Sequence, residues 1–122
     1  MDNRESSEMY LESIYVLSQK SDSVRKIDVS RHMGFAKPSV TRGISLLEKN
    51  ALVTVDDTGN ISLTAEGRKQ AERIYERHTI LTEVFVMLGV DKKTASEDAC
   101  RVEHFISDKT FKAIKKHLKE KK

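Results

Sequence analysis

The chain has 122 residues, of which 38% are hydrophobic and 34% charged, so it suits one small domain or two lobes and is too apolar for a disordered segment. No apolar run approaches the ~20 residues of a membrane helix, and residues 1–10 hold no signal-peptide core. The single Cys excludes an internal disulfide. A cytoplasmic location, with no membrane partner, is the expectation.

Basic residues are concentrated in two stretches, although the net charge is only +3. Residues 20–49 hold seven Lys or Arg against three acidic residues, and residues 109–122 hold seven Lys and one Glu. A locally basic module favours an anionic partner, and nucleic acid is the obvious candidate. A solvated face also explains a charge cluster, and this is the preferred explanation for the lysine-rich C-terminal stretch.

Apolar residues spaced three and four apart predict an amphipathic helix over residues 8–18, with Ser6 and Ser7 as candidate N-caps. Met9 and Glu12 are three positions apart, so they share a face at the start of this helix. Taken alone, Met9 is explained as core filler and Glu12 as a surface charge.

The next segment predicts a helix-turn-helix. A short helix over residues 27–33 ends at Gly34, which suits a left-handed stop. A second helix covers residues 38–49, with Pro38 in its first turn and an inward apolar stripe that could include Leu46. Two short helices joined in this way are typical of DNA-binding motifs, although any two helices can meet at a glycine.

A hairpin follows the second helix. Residues 52–55 and 61–63 are β-prone and flank a turn that contains Gly59. A hairpin directly after a recognition helix is a wing. The two signals together predict a winged helix-turn-helix DNA-binding domain over residues 1–63, in a mainly α chain with a small β wing.

Residues 64–122 predict a helical domain. A long helix capped by Thr64 is expected to bend or restart near His78, and residues 92–106 and 110–119 predict two further helices. These helices are too small for an independent core, so their apolar stripes are expected to pair with a second copy of the chain in a homodimer. The stripes contain Phe85, Leu88, Val102, Phe105, Ile106, Phe111 and Ile114.

A thiol, a carboxylate and an imidazole lie close together in the predicted helix over residues 92–106. Cys100, Glu103 and His104 stand at positions i, i+3 and i+4, which places them on one helical face within about 6 Å of each other. This donor set suits a divalent transition metal. The alternative interpretation, without a metal, is a buried cysteine beside two surface polar residues.

The exposed start of the recognition helix is the candidate DNA-reading surface. Arg42 is the best base reader, because a guanidinium pairs bidentately with guanine, and a phosphate contact is its alternative role. The other candidate DNA contacts, several of them to phosphates, are Arg25, Lys26, Ala36, Lys37, Pro38, Ser39 and Thr41.

Three stretches resemble the metal-dependent repressors of the DtxR/MntR family. They read Ser7-Glu8-Met9-Tyr10-Leu11, Leu63-Thr64-Ala65-Glu66-Gly67 and Glu97-Asp98-Ala99-Cys100-Arg101-Val102-Glu103-His104. The resemblance covers nearly the whole chain and implies the short form of the family, without an SH3-like domain. It implies a homodimeric repressor that binds a palindromic double-stranded DNA operator with a divalent metal as corepressor. By family position, Pro38 and Arg42 face bases.

The resemblance also implies metal ligands, as in the iron-responsive branch, at Met9, Cys100, Glu103 and His104. Glu12 and His78 match ligand positions of the manganese branch. Thr82 and Ser96 stand where the iron branch has the carboxylate and the histidine of its ancillary site, so that site is expected to be absent or rebuilt. Thioether and thiolate donors soften the site and favour Fe²⁺ over Mn²⁺, while Glu12 and His78 favour manganese or a second ion. Other divalent transition metals are expected to substitute in vitro.

Three competing hypotheses remain. The chain could be a winged-helix regulator that senses an organic ligand, or a redox sensor that acts through Cys100. It could also be a metalloenzyme, but no base or nucleophile accompanies the candidate ligands, so we expect no enzymatic activity.

Overall fold

The computed structural model describes residues 3–121, with side chains from residue 5 onward. The elements of this part of the chain are α1 (Asn3–Lys20), α2 (Lys26–Met33), α3 (Lys37–Lys49), β1 (Val53–Val55), β2 (Ile61–Leu63), α4 (Ala65–Met87), α5 (Lys92–Val102) and α6 (Asp108–Lys121). They form two compact units, Met1–Glu72 and Arg73–Lys122, and the boundary falls within α4. Among residues 3–121, no helix combines the length and apolarity needed to cross a membrane.

The first unit is a winged helix-turn-helix, which confirms the predicted fold class. Its core is built from the apolar stripes of α1, α2 and α3 together with the inward side chains of the wing. The fully or nearly fully buried members include Leu11, Ile14, Val29, Val40, Ile44, Leu47, Val53 and Ile61. Leu46 remains 37% exposed, so it does not belong to the inward stripe of α3.

The first helix is longer than predicted. It begins at Asn3, so Ser6 and Ser7 lie inside α1 and the prediction that they cap it is wrong. Residues 3–7 are polar but include no Gly or Pro, and Glu5 in the first turn favours the helix through the macrodipole.

The turn between α2 and α3 follows from local sequence signals. Gly34 adopts φ 71°, and its amide donates to the carbonyl of Ser30 at 2.9 Å. The Ser30 hydroxyl in turn donates to the carbonyl of Phe35 at 2.6 Å. Pro38 lies in the first turn of α3, where its missing N–H costs nothing. The predicted helix-turn-helix is therefore confirmed.

The wing is an antiparallel pair in which Val53 faces Leu63. Its turn is organised by Asp56, whose Oδ1 accepts hydrogen bonds from the Thr58 amide (2.9 Å), the Thr58 hydroxyl (2.7 Å) and the Asn60 amide (2.9 Å). The Asn60 side chain accepts a further bond from the amide of Val24, at 2.9 Å. The wing is thus tied to the loop that precedes α2.

The start of α4 is fitted closely against the wing. The Thr64 hydroxyl accepts the amide of Gly67 at 3.0 Å, which confirms the predicted N-cap. A Cβ on Gly67 would lie 1.9 Å from the carbonyl oxygen of Leu52, so only glycine fits at this position. The helix then continues to Met87, and the predicted restart at His78 is wrong because residues 68–88 contain no helix-breaking Gly or Pro.

The second unit contains the rest of α4 with α5 and α6. Asp91 caps α5 by accepting the amide of Thr94 at 3.0 Å. The helix ends at Val102 rather than at residue 106, and residues 103–106 form a turn before α6. Phe111, which was expected on the surface that meets a second copy, is only 6% exposed.

Candidate functional site

The candidate DNA-reading surface lies at the start of α3. Its N-cap Ala36 has extended backbone, and the first turn presents Lys37, Pro38, Thr41 and Arg42 to solvent. Beside these residues, Ser39 is half-buried, as is Lys26 on α2, while Arg25 is exposed at the N-cap of α2. The structure therefore gathers the predicted residues within the first unit, and their roles at DNA remain predictions.

Tyr10 anchors the recognition helix, a role that the sequence did not reveal. Its hydroxyl donates to the carbonyl of Ser39 at 3.0 Å, and its ring lies against Gly43, where a Cβ would come within 2.4 Å of a ring carbon. Phe35 meets the ring edge-on, with 6.1 Å between centroids. Burial raises the pKa of the Tyr10 phenol, and the nearby charge of Arg42 partly offsets this. The spacing of Tyr10 indicated only a core residue.

The second unit places a buried carboxylate between two imidazoles. Oε2 of Glu103 lies 2.9 Å from Nδ1 of His78, and Oε1 lies 3.5 Å from Nε2 of His104. Glu103 is fully buried and His104 is 4% exposed. These three predicted ligands therefore come together, although two of them lie just beyond the end of α5 rather than on it.

The Glu103 carboxylate gives a test of whether a cation fits this cluster. Its Oε1 is buried and has no hydrogen-bond partner among the described residues. An ionised carboxylate with an unsatisfied oxygen is costly in a protein interior, and a bound cation would remove that cost. Imidazole nitrogen and carboxylate oxygen are donors that divalent first-row metals accept. The cluster thus fits a metal by its chemistry.

The other predicted ligands lie on α5 and α1. Cys100 is half-buried on α5 and does not join His78 and Glu103 in a set of three ligand atoms that all lie within 4.8 Å of one another. Met9 and Glu12 are half-buried on α1 in the first unit. Their participation in a metal site remains a prediction.

Thr82 and Ser96, which stand where the iron branch has ancillary-site ligands, both contact His78. The Thr82 hydroxyl donates to the main-chain carbonyl of His78 at 2.7 Å, and the Ser96 hydroxyl oxygen lies 3.4 Å from Nε2 of His78. The first contact is a back-bond within α4, common for threonine in helices. Of these two contacts, only that of Ser96 involves the His78 imidazole.

Arg77 is a residue of this cluster that the sequence analysis did not single out. It is 1% exposed, and its guanidinium contacts the main chain on both sides of the turn that carries Glu103 and His104. A signal was available, because Arg77 stands three residues after Ile74 and four before Leu81, both buried on α4. An arginine within an apolar stripe indicates a buried, paired cation.

Comparison with known proteins assigns a family to this arrangement. Residues 3–60 match the family model described as "Iron dependent repressor, N-terminal DNA binding domain", and residues 64–122 match "Iron dependent repressor, metal binding and dimerisation domain". The chain belongs to the iron-dependent repressor family. The two matches meet near Thr64, whereas the compact units divide within α4, after Glu72.

Two relatives of this chain are transcriptional regulators. The transcriptional regulator MntR of Escherichia coli O6:H1 is 31% identical over 112 residues, which cover 92% of this chain and 72% of that protein. The diphtheria toxin repressor of Corynebacterium diphtheriae is 26% identical over 117 residues, which cover 95% of this chain and 52% of that protein.

Solved structures agree with the fold of this chain. The structure of the manganese regulator SloR matches with a TM-score of 0.82 and 29% identity, over 93% of this chain. The match covers 53% of the SloR chain, so this chain spans about half the length of that relative. The family is one of DNA-binding transcriptional regulators, and the metal-responsive interpretation of the sequence is supported over the organic-ligand and redox alternatives.

Proposed function

We propose that the chain is a repressor that binds its operator as a homodimer when loaded with a divalent metal, with Fe²⁺ preferred and Mn²⁺ as the alternative. The observation that carries this proposal is the buried Glu103 carboxylate between His78 and His104, with one oxygen lacking a hydrogen bond. Family membership supports the coupling of this cluster to DNA binding.

The proposed ligand set extends beyond this cluster. It consists of Met9, Glu12, His78, Cys100, Glu103 and His104, where the first two and Cys100 rest on the family resemblance. A bound divalent ion supplies the positive charge that balances Glu103. Cys100 must lose its proton and the imidazoles must be neutral to act as donors, so binding should weaken as pH falls.

The preference for iron rests on two side chains. Met9 offers a thioether and Cys100 a thiolate, and both are softer donors than the oxygens that Mn²⁺ prefers. Replacing Cys100 with Glu should therefore shift the preference towards manganese. The measurement is the affinity of anaerobically purified protein for each ion, wild type against Cys100→Glu, with Glu97→Gln on the exposed side of α5 as a control.

Coupling to DNA is proposed to work through conformational restriction. In the loaded protein, ligands from α1 are tied to ligands from α4 and α5, so fewer conformations remain to be frozen when the protein binds DNA. The exposed residues of α3, with Arg25 and Lys26, supply the DNA contacts. Arg42 is assigned to base edges and Lys37 to phosphates.

The homodimer is supported by apolar side chains that the second unit leaves in solvent. Val86, Met87 and Leu88 at the end of α4 are 43%, 54% and 76% exposed, and Phe105 is 66% exposed. Residues of this size are seldom left exposed side by side on a monomer. A second copy of the chain would cover them, and Leu88→Glu should shift the protein towards monomer in sedimentation velocity, whereas Thr79→Glu serves as an exposed control.

The test of the whole proposal is a DNA-binding titration. Protein dialysed against chelator is titrated into a duplex selected from a random pool by the metal-loaded protein, with and without anaerobic Fe²⁺. Metal should raise the affinity, and Cys100→Ala and His104→Ala should abolish the increase. Metal stimulation that persists in both variants contradicts the proposal. A response to oxidant in the chelated protein would instead favour the redox alternative at Cys100.

A further inference from the structure

Arg77 is a buried cation in the second unit. It lies on α4 with its side chain 1% exposed, between the buried residues Ile74 and Leu81 of the same helix face. A guanidinium in such a position is strongly unfavourable unless each of its donors is satisfied. The groups that accept its hydrogen bonds therefore indicate the structural role of the buried guanidinium.

Those contacts converge on one short segment. Nη1 of Arg77 donates to the carbonyl of Glu103 at 3.2 Å and to the carbonyl of Ile106 at 2.6 Å. Nη2 donates to the carboxylate of Asp108, and the guanidinium carbon lies 5.3 Å from the centroid of the Phe111 ring. One planar group thus holds both ends of residues 103–106 and the start of α6.

This segment lacks the support that a helix would provide. Because α5 ends at Val102, the Glu103 carbonyl accepts from Arg77 instead of from an amide one turn later. Within the turn, the amides of Phe105 and Ile106 both donate to the carbonyl of Val102, at 3.0 and 3.1 Å. The guanidinium also sits at the C-terminal end of α5, where a cation is electrostatically favoured.

We propose that Arg77 is a positioning residue for the metal centre, which holds the main chain so that Glu103 and His104 present their donor atoms together. The inference rests on the proposed function, because the positions of Glu103 and His104 affect metal binding only if both residues are metal ligands. Outer groups that fix the orientation of metal ligands typically change metal affinity about tenfold to hundredfold when removed.

The planar fork of arginine is essential to this role. A lysine at position 77 would keep the positive charge near Asp108, but a single ammonium cannot reproduce the fixed arrangement of donors to two carbonyls and a carboxylate. Arg73 gives a matched control, because it contacts the same Asp108 oxygen at 3.1 Å from a side chain that is 40% exposed. Arg73→Lys and Arg77→Lys therefore make the same chemical change at one carboxylate.

The experiment uses Co²⁺ as a probe, because its absorption spectrum reports the number and geometry of its ligands. Full-length protein is stripped of metal and titrated anaerobically as wild type, Arg77→Lys and Arg73→Lys, and thermal unfolding of each metal-free protein is followed by circular dichroism. Arg77→Lys should bind Co²⁺ about tenfold to hundredfold more weakly and with an altered spectrum. Arg73→Lys should match the wild type in both respects.

Other outcomes would overturn either the inference or the proposed function. If Arg77→Lys unfolds more easily but binds Co²⁺ with wild-type affinity and spectrum, Arg77 is merely structural and the inference is overturned. If Arg77→Lys does not fold, Asp108→Asn replaces it, because the Asp108 side chain is 66% exposed and its charge helps to hold the guanidinium. That variant should also weaken Co²⁺ binding, and unchanged binding overturns the inference. A wild type that binds no Co²⁺ contradicts the proposed function instead.

Discussion

The hydroxyl of Tyr10 on α1 donates a hydrogen bond to the main-chain carbonyl of Ser39 in the first turn of α3, at 3.0 Å. The recognition helix is therefore held by the helix that carries Met9 and Glu12, two of the proposed metal ligands. Any change in the position of α1 acts on α3 through a direct contact, inside one compact unit. This contact gives the proposed coupling between metal and DNA a short physical route.

The contact between Tyr10 and α3 predicts that Gly43→Ala is destabilising. At an exposed helical site, alanine would stabilise by about 1 kcal/mol relative to glycine. At position 43 a Cβ would lie 2.4 Å from the Tyr10 ring, so the ring or the helix must move, at a cost of about 1–3 kcal/mol. Urea unfolding of the metal-free protein measures the difference. Ser45→Ala, at an exposed position of the same helix, should have little effect. A Gly43→Ala protein more stable than wild type contradicts the assigned contact.

Arg42 should read a base rather than a phosphate. Its guanidinium is available to DNA because Arg42 is exposed on α3. Within the helix, its Nη2 lies 3.4 Å from the Ser39 hydroxyl. Arg42→Ala should cost about 1–3 kcal/mol at one operator position and relax the preference there.

Lys37→Ala provides the comparison for Arg42. As a phosphate contact, Lys37 should contribute equally to all sequences, and its loss should lower the salt slope of binding by about one. Fluorescence anisotropy at several salt concentrations, with operator variants, distinguishes the two effects. Base reading by Arg42 is disproved if Arg42→Ala behaves like Lys37→Ala.

Local signals predicted the first unit well because its turns are determined by residues next to them in sequence. Gly34 and Pro38 fix the helix-turn-helix, and Asp56 with Gly59 fixes the wing. The end of α5 had no such signal, since residues 99–104 contain no Gly, Pro or Asn and suit a continuous helix. Arg77, 26 residues from Glu103 in sequence, donates to the Glu103 carbonyl at this end, and a contact at that separation leaves no local pattern.

The same limit applies to the candidate site. Spacing alone placed Cys100, Glu103 and His104 together because it assumed a helix through all three. The structure instead pairs Glu103 with His78 from α4, through a contact between residues 25 positions apart. Candidate ligands could be proposed from sequence, whereas the pairing of Glu103 with His78 depends on a tertiary contact.

Asp56 should make the stability of the wing depend on pH in the acid range. The hydrogen bond from the Thr58 side chain is the largest cause that lowers the pKa of this carboxyl, followed by the bond from the Asn60 amide. Because the pKa is lower in the folded state, the stabilisation is present above the ordinary value of 3.8 and is lost as pH falls through the folded value. Asp56→Asn should therefore be less stable than wild type above pH 3.8, and this difference should shrink below it.

Asp57→Asn is the control for this titration. Asp57 is the exposed neighbour in the same turn, and its replacement changes the net charge equally. Urea unfolding at several pH values should show no comparable pH-dependent difference for Asp57→Asn. Equal behaviour of the two variants would assign the effect to net charge rather than to the hydrogen bonds of Asp56.

Glu103→Gln should lower metal affinity without lowering metal-free stability. The amide keeps the size of the side chain and removes a buried negative charge whose Oε1 has no hydrogen-bond partner among the described residues. Without metal, the amide can keep a hydrogen bond to His78 while the cost of burying a charge is removed, so the protein should be at least as stable as wild type. With metal, a coordinating anion is lost, so Fe²⁺ affinity should fall by more than the tenfold to hundredfold typical of an outer-shell change.

Two measurements on one preparation check this prediction. Urea unfolding of the chelated protein gives the free energy of unfolding, and anaerobic titration gives the Fe²⁺ affinity. Glu97→Gln removes an exposed carboxylate from α5 and should alter neither quantity. A purely structural Glu103 would give the reverse pattern, in which Glu103→Gln destabilises the metal-free protein and leaves the affinity for Fe²⁺ intact. Because only a purely structural Glu103 predicts a loss of stability, the unfolding measurement alone distinguishes a ligand from a core residue.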